Sequence, residues 1–233
     1  MEKKLQDKQL GTILIRTSSR ARHYNLRVKD GIVIATMPEQ GDEQKLISFI
    51  HEKRPQLLRF LSRPSIAPQL LNEETELQAT TFKLHIFRSD RAGYYMKLAD
   101  GFLHIACPQQ TRFEEEKVQA TLRDLLERAL RHEARRVLPP RLKTLAEQYG
   151  FTYTSVKINN SKTRWGSCSG KKTINLSLSL LLLPPHLVDY VLLHELCHTL
   201  EMNHSERFWS LMDQVTGNRA KALRKELKGY STL

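Results

Sequence analysis

The sequence predicts an α+β fold in which two similar β-hairpin–helix units precede a C-terminal domain of different character. Three observations support this prediction. Two stretches with a hairpin pattern recur along the chain, and each is followed by a segment with helical periodicity. The last third instead places the motif His-Glu-x-x-His in a helical segment that follows a strand pattern.

The two hairpin stretches are residues 20–38 and 90–108, which align at a constant offset of 70. Asp30-Gly31 in the first corresponds to Asp100-Gly101 in the second, and each pair separates two apolar runs. The turn of a tight hairpin requires positive φ angles, which Asp and Gly tolerate. Both stretches are therefore predicted to be β-hairpins. With only two copies, they indicate a duplication and not a repeat array.

A helix is predicted after each hairpin. Apolar residues recur at helical spacing over about 42–62 and again over about 113–149. Pro139-Pro140 is predicted to break the second helix, because proline lacks the N–H that an interior turn needs. The stretch 63–76 contains two prolines and is the best candidate for a linker. The predicted domains are therefore 1–75, 76–149 and 150–233.

The C-terminal domain begins with two predicted strands, at 151–160 and 171–183. In the second, apolar residues alternate with a polar face, and residues 173–181 could pair with an extended peptide as an added strand. The apolar positions are Ile174, Leu176, Leu178 and Leu180, and the polar ones are Asn175, Ser177 and Ser179. Pro184-Pro185 is then expected to open a helix, since proline is tolerated in a first helical turn.

Composition narrows the class of protein. The net charge of +12 is spread almost evenly along the chain, so weak affinity for nucleic acid is expected but no dedicated basic surface. No apolar run approaches the roughly 20 residues that span a membrane, and the first residues lack the pattern of a signal peptide. A cytoplasmic protein without a membrane partner is therefore expected. The three cysteines are too far apart for a disulfide framework or a zinc ribbon.

The segment HELCHTLEMNH, residues 194–204, carries the candidate chemistry. His194 and His198 are four residues apart, so a helix places both imidazoles on one face, where they can bind one zinc ion. Glu195 lies about 100° around the helix. It is better placed to act on a bound water as general base than to bind the metal. The motif thus predicts peptide-bond hydrolysis by a metal-activated water.

His204 is the candidate third metal ligand, with water in the fourth position. It could not reach the same ion from a continuing helix, so the helix is predicted to end near Met202-Asn203. Ser205 would then cap a new helix. Glu201 is the rival third ligand, and its preferred role is that of a carboxylate orienting a histidine N–H. The other six histidines lack the spacing of a site.

Four motifs in order resemble those of the YgjP-like metallopeptidases, a family related to the SprT-type and WLM zinc metalloproteases. They are RWGSCS (164–169), INLSLSLLLLP (174–184), VDYVLLHELCH (188–198) and NHSERFW (203–209). The resemblance implies a zincin-like catalytic domain with one Zn²⁺ per chain, held by His194, His198 and His204, with Glu195 as catalytic glutamate. The implied substrate is a peptide or protein. The motif spacing equals that of metzincins, but Glu201 stands where they have glycine and no Met-turn is seen, so that assignment is rejected.

Some roles stay open at the level of sequence. Arg164 could stabilise an oxyanion in the transition state, or it could pack on Trp165 or pair with a carboxylate. Gly166 would allow a close approach by backbone or substrate. Two other functions are retained: an SprT-like protease acting on nucleic-acid-bound proteins, and a non-catalytic adaptor whose histidines hold a structural metal.

Overall fold

The computed structural model describes residues 2–29, 31–61, 70–230 and 232. Within these residues the protein is a mixed α+β structure with three small sheets and five helices. The chain divides into two compact units, Met1–Pro64 and Ser65–Leu233. The predicted linker at 63–76 lies partly outside the described residues. No helix in the described ranges is both long enough and apolar enough to cross a membrane.

The first unit consists of a four-stranded sheet and one helix. The strands are β1 (Glu2–Asp7), β2 (Gly11–Ser18), β3 (Asn25–Lys29) and β4 (Ile32–Pro38), in the order β1-β2-β4-β3, followed by α1 (Glu43–Leu61). Strands β3 and β4 form the predicted hairpin, and β2 pairs with β4 in parallel. Alternate residues of β2 and β4 join α1 residues in a core of their own: Ile13, Ile15, Val33, Ala35, Leu46 and Ile50. The helix prediction for about 42–62 is confirmed.

The second unit begins with the same strand arrangement. Its strands are β5 (Lys83–Ser89), β6 (Tyr95–Ala99) and β7 (Phe102–Pro108), in the order β5-β7-β6. Strands β6 and β7 form the second predicted hairpin, turning through Asp100 and Gly101 at φ angles of 52° and 76°. The corresponding Asp30 lies outside the described residues. The hairpin strands recur at the offset of 70, and each copy also contains a parallel strand, β2 or β5, that the sequence analysis did not predict.

Helix α2 (Glu116–Tyr149) runs through both prolines without interruption, so the predicted break at Pro139-Pro140 is wrong. Proline frees the carbonyl four residues earlier, here those of Arg135 and Arg136. Both of these residues are exposed, so water can satisfy the freed carbonyls. The fully or nearly fully buried Leu130, Leu138 and Leu142 lie on either side of the prolines and hold the helix against the core.

The third sheet contains β8 (Ser155–Asn159), β9 (Gly166–Cys168) and β10 (Thr173–Ser177), in the order β8-β10-β9. The predicted strand 171–183 is thus too long, because Leu178–Leu182 form a 3₁₀ turn that Ser177 opens by accepting the Ser179 N–H at 3.3 Å. Residues 178–183 are all buried, which a strand with one polar face would not allow. Strand β10 lies between two paired neighbours, so the predicted addition of a substrate strand to it is also wrong.

Three helices complete the second unit: α3 (Pro185–Cys197), α4 (Glu206–Thr216) and α5 (Ala220–Leu227). Pro184 caps α3 and Pro185 begins it, as predicted. Helix α2 contacts β7, β8, the 3₁₀ turn and α3. One hydrophobic core therefore extends from Leu71 to Leu223 and includes the inner faces of β5 and β7 together with helices α2 to α5.

Candidate metal centre

Helix α3 ends earlier than the sequence predicts. Its last residue is Cys197, His198 is the C-cap at φ −66° and ψ −13°, and a turn through Thr199 and Leu200 follows. Asn203 does not have a positive φ angle, so the predicted termination at Met202-Asn203 is wrong. The early end lets the chain turn back over the last helical turn. Ser205 then caps α4 as predicted, accepting the Phe208 N–H at 3.3 Å.

The three candidate histidine ligands lie together. One nitrogen from each of His194, His198 and His204 can be chosen so that all three lie within 4.8 Å of one another. The Nε2 atoms of His194 and His204 are 3.1 Å apart. The Phe208 ring packs against all three imidazoles, with centroid distances of 4.5–4.9 Å. Helix α4 thereby provides an apolar surface on which the three imidazoles pack. The sequence analysis did not predict this contribution.

These residues fit a metal ion. Two nitrogens bound to one tetrahedral zinc at 2.0–2.1 Å would be roughly 3.3 Å apart, close to the observed Nε2 separation. Within the described part of the chain, no cysteine or carboxylate joins the three histidines as a fourth ligand. Burial, followed by the neighbouring His198 and His204, lowers the pKa of His194 to about 3. The imidazole is thus neutral, which is the form that binds metal.

His198 is oriented by the backbone. Its Nδ1 lies 2.9 Å from the carbonyl oxygen of Glu201, an arrangement that directs Nε2 towards the other two histidines. Glu201 thus contacts a histidine, but through its backbone carbonyl and not through the carboxylate that the sequence analysis preferred for this role. The buried Nδ1 of His194 has no hydrogen-bond partner among the described residues.

Glu195 lies on the buried side of α3 with only 4% of its surface exposed. Burial raises the pKa of its carboxyl group to about 8, and the positive charge of Arg164 opposes this rise. The carboxyl oxygen Oε2 is buried without a hydrogen-bond partner among the described residues. A carboxyl group in such surroundings binds its proton more tightly than an exposed glutamate does.

Gly166 makes room for this carboxylate. A Cβ atom at residue 166 would lie 2.7 Å from Oε1 of Glu195 and 2.8 Å from its Cγ. The expectation that Gly166 permits a close approach is met by a side chain of the protein itself. Arg164, which precedes β9, is exposed and has no ion-pair partner within the described ranges. Its charge acts on Glu195 without a direct contact.

A triad of histidines beside a buried glutamate, in a mixed α+β fold, defines a candidate metallohydrolase. A family model described as "YgjP-like, metallopeptidase domain" matches residues 22–230. The chain therefore belongs to the YgjP-like metallopeptidase family, and it is a peptidase whose substrate is a peptide or protein. The resemblance noted from the four motifs is confirmed.

The chain is also similar to a solved structure, the metallopeptidase zymogen of Pyrococcus abyssi abylysin. The two share 30% sequence identity, and the match covers 37% of this chain and 87% of that one, with a TM-score of 0.34. A search of curated proteins found no significant match.

Proposed function

We propose that this protein is a zincin-like peptidase with one Zn²⁺ per chain, bound by His194, His198 and His204, and with Glu195 as the general base. The observation that carries the proposal is the convergence of the three imidazoles beside a buried carboxylate. A site with three protein ligands leaves a coordination position for water, which is typical of catalytic zinc and not of structural zinc. This arrangement favours a catalyst over a non-catalytic adaptor.

The bound ion would polarise the substrate carbonyl and make a water molecule acidic. The carboxylate of Glu195 would take a proton from the attacking water and deliver it to the leaving amine. Burial raises the pKa of this carboxyl group, whereas Arg164 lowers it and a bound metal ion would lower it further. These opposing effects would bring the pKa towards neutral pH, where a group gains and loses a proton readily. Phe208 packs against the three imidazoles, and the Glu201 carbonyl fixes the ring of His198.

Arg164 is proposed to assist in the same site. Its guanidinium is exposed and near enough to Glu195 to oppose the rise of the carboxyl pKa. A cation in this position can stabilise the negative charge that develops on the carbonyl oxygen. Replacement by methionine is expected to lower kcat while metal content stays unchanged.

We also propose that residues 150–233 form the catalytic part and that the hairpin–helix units, 1–75 and 76–149, act as scaffold or substrate-recognition surface. The shared core of the second unit supports a scaffolding role for residues 76–149, because β7 packs against α2 and α2 packs against α3, which carries His194.

The test combines metal analysis with a protease assay on labelled casein. Wild-type protein should contain about one zinc per chain. Glu195→Gln should keep that zinc and lose cleavage, whereas His204→Ala should lose most of the zinc. His132→Ala, which removes a histidine whose side chain is 74% exposed on α2, is the matched control and should keep both. Full zinc retention in His204→Ala would overturn the ligand assignment, and cleavage by Glu195→Gln would overturn the role of the glutamate.

A further inference from the structure

The outer face of the β5-β7-β6 sheet is unusually rich in aromatic side chains. The inner face of this sheet packs on the core through Leu84, Ile86, Leu103 and Ile105. Because side chains alternate along a strand, the intervening residues point away from it. The outward positions include five rings and two lysines: His85, Phe87, Tyr95, Phe102, His104, Lys83 and Lys97.

Four of these rings, all except Tyr95, form a continuous array at the surface. His85 stacks on Phe87 at 5.2 Å between centroids, and Phe102 stacks on His104 at 5.7 Å. The two histidines join these pairs, with their Nδ1 atoms 3.1 Å apart. Phe102 is 40% exposed and Tyr95 is 50% exposed, so both rings are open to a ligand.

The fold itself does not require aromatic residues here. The first unit has the same hairpin and parallel strand, and the strand pairings show which residues correspond. In the first unit these positions hold aliphatic or polar side chains: Phe102 corresponds to Ile32, His104 to Ile34, His85 to Leu14 and Tyr95 to Asn25. The rings are therefore a property that the second copy has and the first lacks, and packing does not explain them.

The charge on this face is positive. Lys83 and Lys97 flank the rings, and the guanidinium of Arg91 lies over the Tyr95 ring at 4.7 Å. None of the outward strand positions holds a carboxylate. Exposed rings on which bases can stack, bordered by cations that can contact phosphates, are the combination with which proteins bind single-stranded nucleic acid. The histidine pair by itself is an incomplete metal site, because no third ligand joins it within the described residues.

We propose that the outer face of the β5-β7-β6 sheet is a binding site for single-stranded RNA. Bases stack on Phe102 and Tyr95, while Lys83, Lys97 and Arg91 contact the phosphates. The paired Nδ1 atoms of His85 and His104 leave both Nε2 atoms without a protein partner in the described part of the chain. Ring nitrogens in this position can bond to a ribose 2′-hydroxyl, which DNA lacks. The positive charge that matters here is that of Lys83, Lys97 and Arg91, and not the net charge of +12 spread along the whole chain. The site is independent of peptide hydrolysis.

The test measures fluorescence anisotropy of a labelled uridine dodecamer with the full-length protein. Phe102→Ala and Tyr95→Ala should each weaken binding roughly 5- to 100-fold, the range for loss of a stacked base. The logarithm of affinity should fall with the logarithm of salt concentration with a slope of about −2 for three phosphate contacts, and Lys97→Gln should reduce that slope by about 0.7. The deoxyuridine dodecamer should bind more weakly than the RNA.

The duplicated first unit supplies matched controls. Ile32→Ala removes a side chain that is 41% exposed at the position equivalent to Phe102, and Arg27→Gln removes the cation equivalent to Lys97. Both controls should bind RNA like the wild type. Absence of wild-type binding, equal losses in Phe102→Ala and Ile32→Ala, or equal binding of a double-stranded RNA or a polyglutamate peptide would overturn the proposal. Equal affinity for the DNA dodecamer would overturn the assignment to RNA. An unchanged thermal midpoint of each variant excludes loss of fold as the cause.

Discussion

Gly166→Ala is expected to disturb the Glu195 carboxylate without contacting any of the three proposed metal ligands. The added methyl group would lie 2.7 Å from Oε1 of Glu195, 2.8 Å from Cγ and 2.9 Å from Cδ. Non-bonded atoms settle at about 3.5 Å or more, so the end of the Glu195 side chain would have to move by about 0.8 Å. The neighbouring core cannot easily absorb that shift, because α3 packs directly against β9 and Glu195 is buried.

This displacement should lower both the unfolding free energy and kcat. Overpacking a buried site costs about 1–3 kcal/mol of unfolding free energy. A catalytic group displaced by about 1 Å can cost up to roughly 100-fold in rate, so kcat should fall about 10- to 100-fold. The assays are urea unfolding and casein cleavage, both on protein loaded with the same metal. Zinc content should stay at the wild-type level, since no histidine is displaced.

Gly170→Ala is the matched control, because nothing lies within 4 Å of a Cβ atom at that residue. Its stability should be unchanged or raised by up to about 1 kcal/mol, and its rate should match the wild type. If Gly166→Ala kept wild-type stability and rate, the contact with Glu195 would not constrain the carboxylate, and the reasoning above would be refuted.

Three further outcomes are expected. Ser205→Ala should lower the unfolding free energy by about 1 kcal/mol, because it removes the N-cap of α4. It should also weaken zinc binding, because the cap positions the preceding residue, His204. Ser210→Ala, on the exposed side of α4, should change neither quantity, as calorimetry and zinc titration would measure. The Arg54 guanidinium holds the pKa of Asp7 well below its usual value of 3.8, so their ion pair stabilises the first unit above that pH and is lost as the pH falls through the lowered pKa. Asp7→Asn should therefore lower the unfolding free energy at pH 7 by about 1–2 kcal/mol, as measured by urea unfolding. The stability of this variant should also fall less on acidification than that of the wild type, and an equal fall in both proteins would contradict the reasoning. Pro140→Ala should raise the thermal midpoint, because it restores a helical hydrogen bond at an exposed position, and a lower midpoint would show that proline stabilises α2.

The hairpins were predictable because their signals are local. An Asp-Gly pair between two apolar runs specifies a turn within a few residues, and the second hairpin turns through the predicted Asp100 and Gly101. Strands β2 and β5 were missed because they pair in parallel with β4 and β7, across connections that carry no turn signature. The break at the two prolines was predicted from local propensity, and buried leucines on either side override it.

For the site, spacing alone predicted the histidine cluster, since residues four apart on a helix share a face and the third histidine follows within reach. Where the helix ends was not predictable, because the turn after Cys197 is formed by backbone hydrogen bonds and not by an asparagine or glycine signal. Phe208 could have been suspected as the fourth residue after His204, on the buried face of an amphipathic helix. The contact between Gly166 and Glu195 joins distant segments and required the structure.

A single core runs from the second hairpin to α5. The helices that carry the histidine cluster therefore cannot unfold independently of the second hairpin and α2. Heating should melt the second hairpin, α2 and the helices bearing the histidines in one cooperative transition. Metal bound only to the folded state stabilises all of these elements together, so chelation should lower their common melting temperature. A fragment starting at residue 150 would expose the leucines of α3 that α2 now covers, and it should aggregate rather than retain peptidase activity.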